Sequence, residues 1–251
     1  MKLKSLKAIK LKQHIYNFVF LPLVLLNSKP KDLINKYPVY IFHHIPKCAG
    51  TSTIFALRHW FFIVKDYWSS YHPKEIPYFI QHRVKLQSLR SYKCLCGHFE
   101  LPETRLYKRY PEVLHNQNFK IFTFIRDPLE VNTSLYYYEK KRGKRKGISL
   151  EQHLLTRNNF IARILDCTLD NYKDVLDSYF FIGITEHLQL SLDKLAMLLN
   201  KRKVKLPVLN RAKRDSQTSG LPPAIINQFK AKNELDYRIY DYCLSRFHQT
   251  P

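Results

Sequence analysis

The chain is poor in glycine, with six in 251 residues, and poor in acid, with 20 Asp and Glu against 42 Lys and Arg. The glycine shortage limits the loop chemistry. The nucleotide-triphosphatase loop G-x-x-x-x-G-K-[ST] needs an early glycine and a lysine directly after the second one. Here Lys47 precedes Gly50, and no glycine lies upstream of it. No carboxylate pair suggests a metal. The five cysteines, Cys48, Cys94, Cys96, Cys167 and Cys243, form no C-x-x-C pair, so neither a zinc site nor a disulfide framework is indicated. The expectation is buried free thiols in a reducing, cytoplasmic compartment. No long apolar run is present either: Ile15 to Leu26 is interrupted by Asn17 and Pro22 and is short for a bilayer span. No small-residue cleavage pattern follows it. There are no internal repeats and no low-complexity segments.

What is there suits a globular chain: 45% apolar, 14% aromatic. Residues 37–251 fit one α/β domain with a substantial core, preceded by a basic and apolar segment, residues 1–36. In that segment Lys2, Lys4, Lys7, Lys10 and Lys12 precede the apolar run. Three readings stand side by side: a signal-anchor, an interfacial basic helix giving membrane association, and a helix packed on the domain. The net charge of +22 suits acidic ligands, an anionic membrane surface among them, and is equally a general solubility effect.

The chain is organised around residues 39–57. Val39 to Phe42 reads as a buried strand, Pro46 and Gly50 punctuate a loop, and Ile54, Phe55, Leu57 and Trp60 fall at helical spacing. Strand, small-residue loop and helix start together make an anion site, in which converging backbone N–H groups and the helix dipole receive a phosphate or sulfate. Lys47 adds a mobile charge, and Thr51 and Ser52 add hydroxyls.

A second strand, Ile121 to Ile125, ends at Arg126, with Asp127 as N-cap and Pro128 as first helical residue. Ser134 falls about two turns into that helix, on a side able to share a ligand with Arg126. Each anion site thus lies at the carboxyl end of a strand, where open α/β sheets bind ligands.

Residues 43–55, His-His-Ile-Pro-Lys-Cys-Ala-Gly-Thr-Ser-Thr-Ile-Phe, resemble the 5′-phosphosulfate loop of the carbohydrate sulfotransferases, usually H-I-P-K-T-A-G-T-S. Arg126-Asp127-Pro128 with Ser134 and Tyr136 to Tyr138 resembles that family's 3′-phosphate motif. Cys94 to Glu100 resembles its Gly-His segment, and Phe181 to His187 its later G-x-T-E strand. Cys48 stands where the family usually has Thr, and Val131 where it often carries a second Arg. The resemblance implies a P-loop-like open parallel sheet flanked by helices. It also implies a sulfotransferase using PAPS (3′-phosphoadenosine 5′-phosphosulfate) on a hydroxyl acceptor, most often a glycan, and no nucleic-acid partner. Lys47, Ala49, Gly50, Thr51, Ser52, Arg126 and Ser134 would bind the donor, with Lys47 also catalytic.

Sulfuryl transfer needs placement, charge stabilisation at the leaving oxygen and a base for the acceptor proton, and none of these parts requires a metal. His98, at the end of the short strand Lys93 to Gly97, is the base that the resemblance implies, and Glu100 is its rival. His43 and His44 flank the loop and read as strand-end packing residues, with one of them lining the pocket as the alternative. Asn159 and Arg163 resemble an acceptor-lining pair or a surface feature of a helix over Ser149 to Leu165. The basic stretch Glu139 to Lys146 is a solvated run or a guide for an acidic acceptor. Lys65 to Arg90 reads as loop plus short helix, and Leu221 to Arg246 as one closing helix. Asn210, Arg211 and Lys213 sit where the family closes over the cofactor. Two other functions remain open: a P-loop-type kinase and a non-catalytic polyanion binder.

Overall fold

The computed structural model describes residue 15 and residues 17–67, 76–207 and 220–249. The N-terminal lysines, part of the Lys65 to Arg90 stretch, and Asn210, Arg211 and Lys213 lie outside the described residues.

Five strands form one parallel sheet: β1 (Val39–His43), β2 (Phe62–Asp66), β3 (Lys93–Gly97), β4 (Phe119–Ile125) and β5 (Phe181–Ile184), in the order β2-β3-β1-β4-β5. The apolar runs predicted as strands are strands because both faces of a parallel sheet are covered. Ile121 to Ile125 is buried throughout. Phe42, in register with Cys96 and Phe122, stacks on the Phe122 ring at 5.6 Å. From β1 the chain goes out to the edge strand β2, returns to β3 between the two, and then crosses to β4 on the other side of β1. The crevice beyond the carboxyl ends of β1 and β4 is therefore the topological switch point.

The helices are α1 (residues 17–26), α2 (Pro30–Ile34), α3 (Gly50–Leu57), α4 (Ile76–Gln81), α5 (Leu106–Arg109) and α6 (Pro128–Lys141). They continue as α7 (Leu150–Leu155), α8 (Phe160–Leu165), α9 (Tyr172–Asp177), α10 (Leu188–Leu198), α11 (Pro223–Lys232) and α12 (Glu234–Gln249).

Three predicted elements differ. Phe62–Asp66 is an edge strand that the sequence reading missed: only Ile63 and Asp66 are buried, so its apolar signal is diluted. The helix predicted over Ser149 to Leu165 is two, because Asn159 takes a left-handed conformation (φ 42°) between α7 and α8. The closing helix is also two, broken at buried Asn233, whose Oδ1 accepts from the Asn159 N–H at 2.8 Å. Asp236 accepts from the Ile161 and Ala162 N–H groups at 3.0 and 2.8 Å, caring for the start of α8. Burial raises its carboxyl to about 6.

Residues 17–34 pack on the domain. Val24 is buried, and the Phe20 ring meets Phe55 and His59 edge-on. The Asn17 side chain donates to the Ile63 carbonyl and accepts from the Ile63 N–H, both at 3.3 Å, along the outer edge of β2. Lys201 ties the far end, donating to Asn27 O at 2.7 Å and to Asp32 at 3.1 Å. The outer side is apolar and exposed: Phe18 and Ile34 are each 75% exposed, with Val19 and Leu26 between them. Among the described residues, no helix is long and apolar enough to cross a membrane.

Below β2, Asp66 accepts from Arg109 Nε and Nη2 (2.7 and 2.9 Å) and from the Tyr110 hydroxyl (2.7 Å). Arg109 also donates to the carbonyls of Phe79 and His82 at 2.8 and 3.0 Å, fastening α4 to the sheet. The five cysteines are buried and free, with Cys94 Sγ 3.9 Å from Cys96 Sγ.

Candidate active site

At the end of β1 the backbone is fixed on both sides. Thr123 Oγ1 donates to the His43 carbonyl at 2.7 Å, and the His44 N–H donates to Gly97 O at 2.9 Å. The chain then turns through Lys47 (φ 67°) and Ala49 (φ 56°), both left-handed although both carry a Cβ. Each such residue costs roughly 1–2 kcal/mol, a strain that collects at ligand clamps. The turn leads directly into α3, whose N-cap Ala49 supplies no side-chain acceptor, so the first-turn amides point outward without a cap. Gly50 is required here: a Cβ on it would sit 1.6 Å from His44 Nε2.

At the end of β4, Asp127 caps α6 as predicted, its Oδ1 accepting from the Glu130 N–H at 2.9 Å. Glu186, just after β5, accepts from the Asp127 N–H at 3.1 Å and so holds the start of α6 in place. Arg126 donates to Glu130 at 2.6 Å.

These two strand ends share a cleft of about 650 Å³. Lys47, Ala49, Gly50, Thr51, Ser52, Arg126, Ser134, His98 and Glu100 all line it. Lys47 Nζ lies 4.3 Å from the centre of the Tyr138 ring, and the Arg142 guanidinium lies 4.2 Å from the same ring. Burial, and then Arg126 and Arg142, lower the pKa of Lys47. Asn159 and Arg163 are not among the residues lining the cleft; Asn159 serves the α8–α12 junction instead, accepting from the Asp236 N–H at 3.2 Å. A second concavity of about 700 Å³, between Tyr136, Arg145 and Leu221, holds none of the predicted donor-binding or catalytic residues, although Lys140, Arg145 and Lys146 of the basic stretch line it.

Two further lining residues, Thr185 and Tyr67, are not among the predicted site residues. Thr185 is a buried residue at the cleft wall, and its hydroxyl has no partner among the described residues; its signal was the Thr-Glu pair after β5. Tyr67 lies in an aperiodic stretch and had no signal. Of the two strand-end histidines, His44 is the one whose ring borders the cleft. Its Nδ1 lies 2.9 Å from His98 Nε2 and 3.2 Å from the Tyr67 oxygen. His98 Nδ1 lies 3.2 Å from Glu100 Oε1. Desolvation, then His98, holds His44 well below the ordinary imidazole range. Its neighbour His43 packs in the core as predicted, bonded through Nδ1 to the Tyr179 hydroxyl at 2.7 Å and pushed down to about 3, first by burial.

No protein-family model and no curated protein matches the chain. Among solved structures, the crystal structure of a sulfotransferase from Alicyclobacillus acidocaldarius is similar at a TM-score of 0.48 and 14% sequence identity, covering 84% of this chain and 98% of that one.

Proposed function

We propose that the chain is a PAPS-dependent O-sulfotransferase acting on a hydroxyl of a carbohydrate. The observation that supports this most is that the Lys47 turn and the Arg126–Ser134 pair open on one cleft, at the carboxyl ends of adjacent strands. A nucleoside with phosphate groups at both ends needs two anion sites on one cavity, and about 650 Å³ is within the range of small-molecule sites. The uncapped amides of α3, the left-handed Lys47 and Ala49, and the unpartnered Thr185 hydroxyl fit a bound anionic ligand.

In this reading the Ala49 to Ser52 amides hold the 5′-phosphosulfate, and Arg126 and Ser134 hold the 3′-phosphate. PAPS supplies the sulfuryl group and a phosphate leaving group. A new S–O bond forms to the acceptor oxygen as the S–O bond to phosphate breaks. Lys47 meets the charge growing on the leaving oxygen, and His98, backed by Glu100, takes the acceptor proton. Arg142 and Lys144 on the rim suit an acidic acceptor.

The exposed apolar outer side of α1 and α2, with exposed Lys29, Lys31 and Lys36 nearby, supports association with an anionic membrane surface.

The test is retention on immobilised adenosine 3′,5′-bisphosphate, followed by transfer of label from PAPS to a glycan panel. Both are expected, and both should be lost in Lys47→Ala and Arg126→Ala. Polyanion binding that survives both substitutions, without transfer, would replace this reading with the binding protein; dependence on ATP and Mg²⁺ would replace it with the kinase.

A further inference from the structure

The contacts around His98 leave neither of its ring nitrogens free. The Glu100 carboxylate, 3.2 Å from Nδ1, can only accept, so it fixes the proton of a neutral His98 on Nδ1. Nε2, the nitrogen that would serve as base, is then bare, and His44 Nδ1 stands 2.9 Å from it. Two bare nitrogens do not approach so closely, so His44 carries its proton on Nδ1 and donates it. The Tyr67 oxygen, 3.2 Å from that same Nδ1, is a second acceptor within reach. The His44 ring is confined: Phe42 stacks on it at 5.3 Å with 13° between the planes, and Gly50 lies against its Nε2 edge.

We propose that His44 and Tyr67 form a hydrogen-bond switch that holds the lone pair of the base between turnovers. This rests on the sulfuryl-transfer reading. At rest the His44 Nδ1–H donates to His98 Nε2. As the acceptor oxygen forms its bond to sulfur, its O–H bond breaks and an N–H bond forms at His98 Nε2, while the Nδ1–H of His98 stays on that nitrogen, hydrogen-bonded to Glu100. His44 keeps its single proton throughout, and its Nδ1–H exchanges one hydrogen-bond acceptor, His98 Nε2, for the other, the Tyr67 oxygen. His98, whose side chain is partly open to solvent, then releases its extra proton to water and the rest state returns. His44 and Tyr67 are positioning residues: neither receives the substrate proton. The arrangement keeps the base lone pair directed without a free, solvated nitrogen, and it links the base to the anion loop through Gly50.

The decisive measurement needs no substrate. In the full chain with ¹⁵N-labelled histidine, at mildly alkaline pH, the ring nitrogens of His44 and His98 should both report the Nδ1–H tautomer. An Nε2–H tautomer for either would overturn the switch, whatever the reaction is. Kinetics supply the second arm. His44→Phe keeps an aromatic ring but removes both nitrogens, and it should lower kcat about 10–100-fold, the scale typical when a group orienting a functional imidazole is lost. Affinity for adenosine 3′,5′-bisphosphate should change by no more than about twofold. His44→Asn restores an N–H near the Nδ1 position and should recover most of kcat, which a merely structural role would not produce. Unchanged kcat in His44→Phe would also overturn the proposal. Absence of transfer to every acceptor would count against the sulfotransferase reading, and the tautomer result would still decide the switch on its own.

Discussion

Arg109→Met removes the head group of a buried ion pair and leaves its partner behind. The Arg109 side chain is 2% exposed, and Asp66 accepts two hydrogen bonds from it. Two further bonds run from Arg109 to the carbonyls of Phe79 and His82, so the variant strands two backbone acceptors as well as a carboxylate. Removing one member of such a pair costs about 3–5 kcal/mol, most of it the desolvation of the charge left unpaired. For a chain of 251 residues this corresponds to a fall in Tm of about 6–20 °C. Tyr110 still donates to Asp66 at 2.7 Å, which places the effect toward the lower end. Urea unfolding of wild type, Arg109→Met, Asp66→Asn and the double variant makes the measurement. The double variant should be more stable than Arg109→Met, because no charge is then left without a partner. A loss below about 1 kcal/mol in Arg109→Met, or a double variant no better than that single one, would refute the reasoning.

Acidification should weaken the fold through His43. Its folded pKa is depressed to about 3 against an unfolded value near 6.5, so its contribution is fully present above about pH 6.5 and is lost as pH falls toward 3. The span corresponds to at most about 4–5 kcal/mol. Buried His153, pushed to about 4 by burial and then Arg157, acts in the same direction, while Asp236 at about 6 opposes them. A series of urea midpoints against pH should be flatter in His43→Phe, and an unchanged slope would contradict the assignment. Ala49→Gly should stabilise the chain by about 0.5–1 kcal/mol, because relief of the left-handed Cβ outweighs the added freedom of the unfolded chain; destabilisation in the same urea assay would count against strain in the turn. The full chain should co-sediment with vesicles containing anionic lipid, and the Phe18→Ser, Ile34→Ser pair, at two exposed positions, should reduce that binding several-fold; equal binding would remove the outer side of α1 and α2 from the contact.

The strands carrying the site were legible because burial on both sides demands continuous apolar, β-branched residues, and Val39 to Phe42 and Ile121 to Ile125 supply them. Asp127-Pro128 announced the start of α6 through local chemistry alone. Sheet order was not legible, since a strand hydrogen-bonded on both edges carries no mark of its neighbours. Asn159 and Asn233 broke two predicted helices because the Asn233 side chain accepts from the Asn159 N–H while the Asn159 side chain accepts from the Asp236 N–H, contacts across the fold without local trace. The pair His43-His44 shows the limit most clearly. Successive side chains at a strand end point to opposite sides, so one histidine enters the core beside Tyr179 and the next meets His98, although in sequence the two are equivalent.

The Asn17 amide spans the Ile63 N–H and C=O in the manner of one residue of a sixth strand. A parallel sheet whose outermost strand is left open offers a template to any other chain, and unprotected rims of this kind drive self-association. A shortened version beginning at residue 37 would bare that rim together with the apolar surface that Phe20 and Val24 now cover. Its failure would therefore show as aggregation in concentrated solution before any chemistry was lost, and the leading segment belongs in whatever form of the protein is expressed.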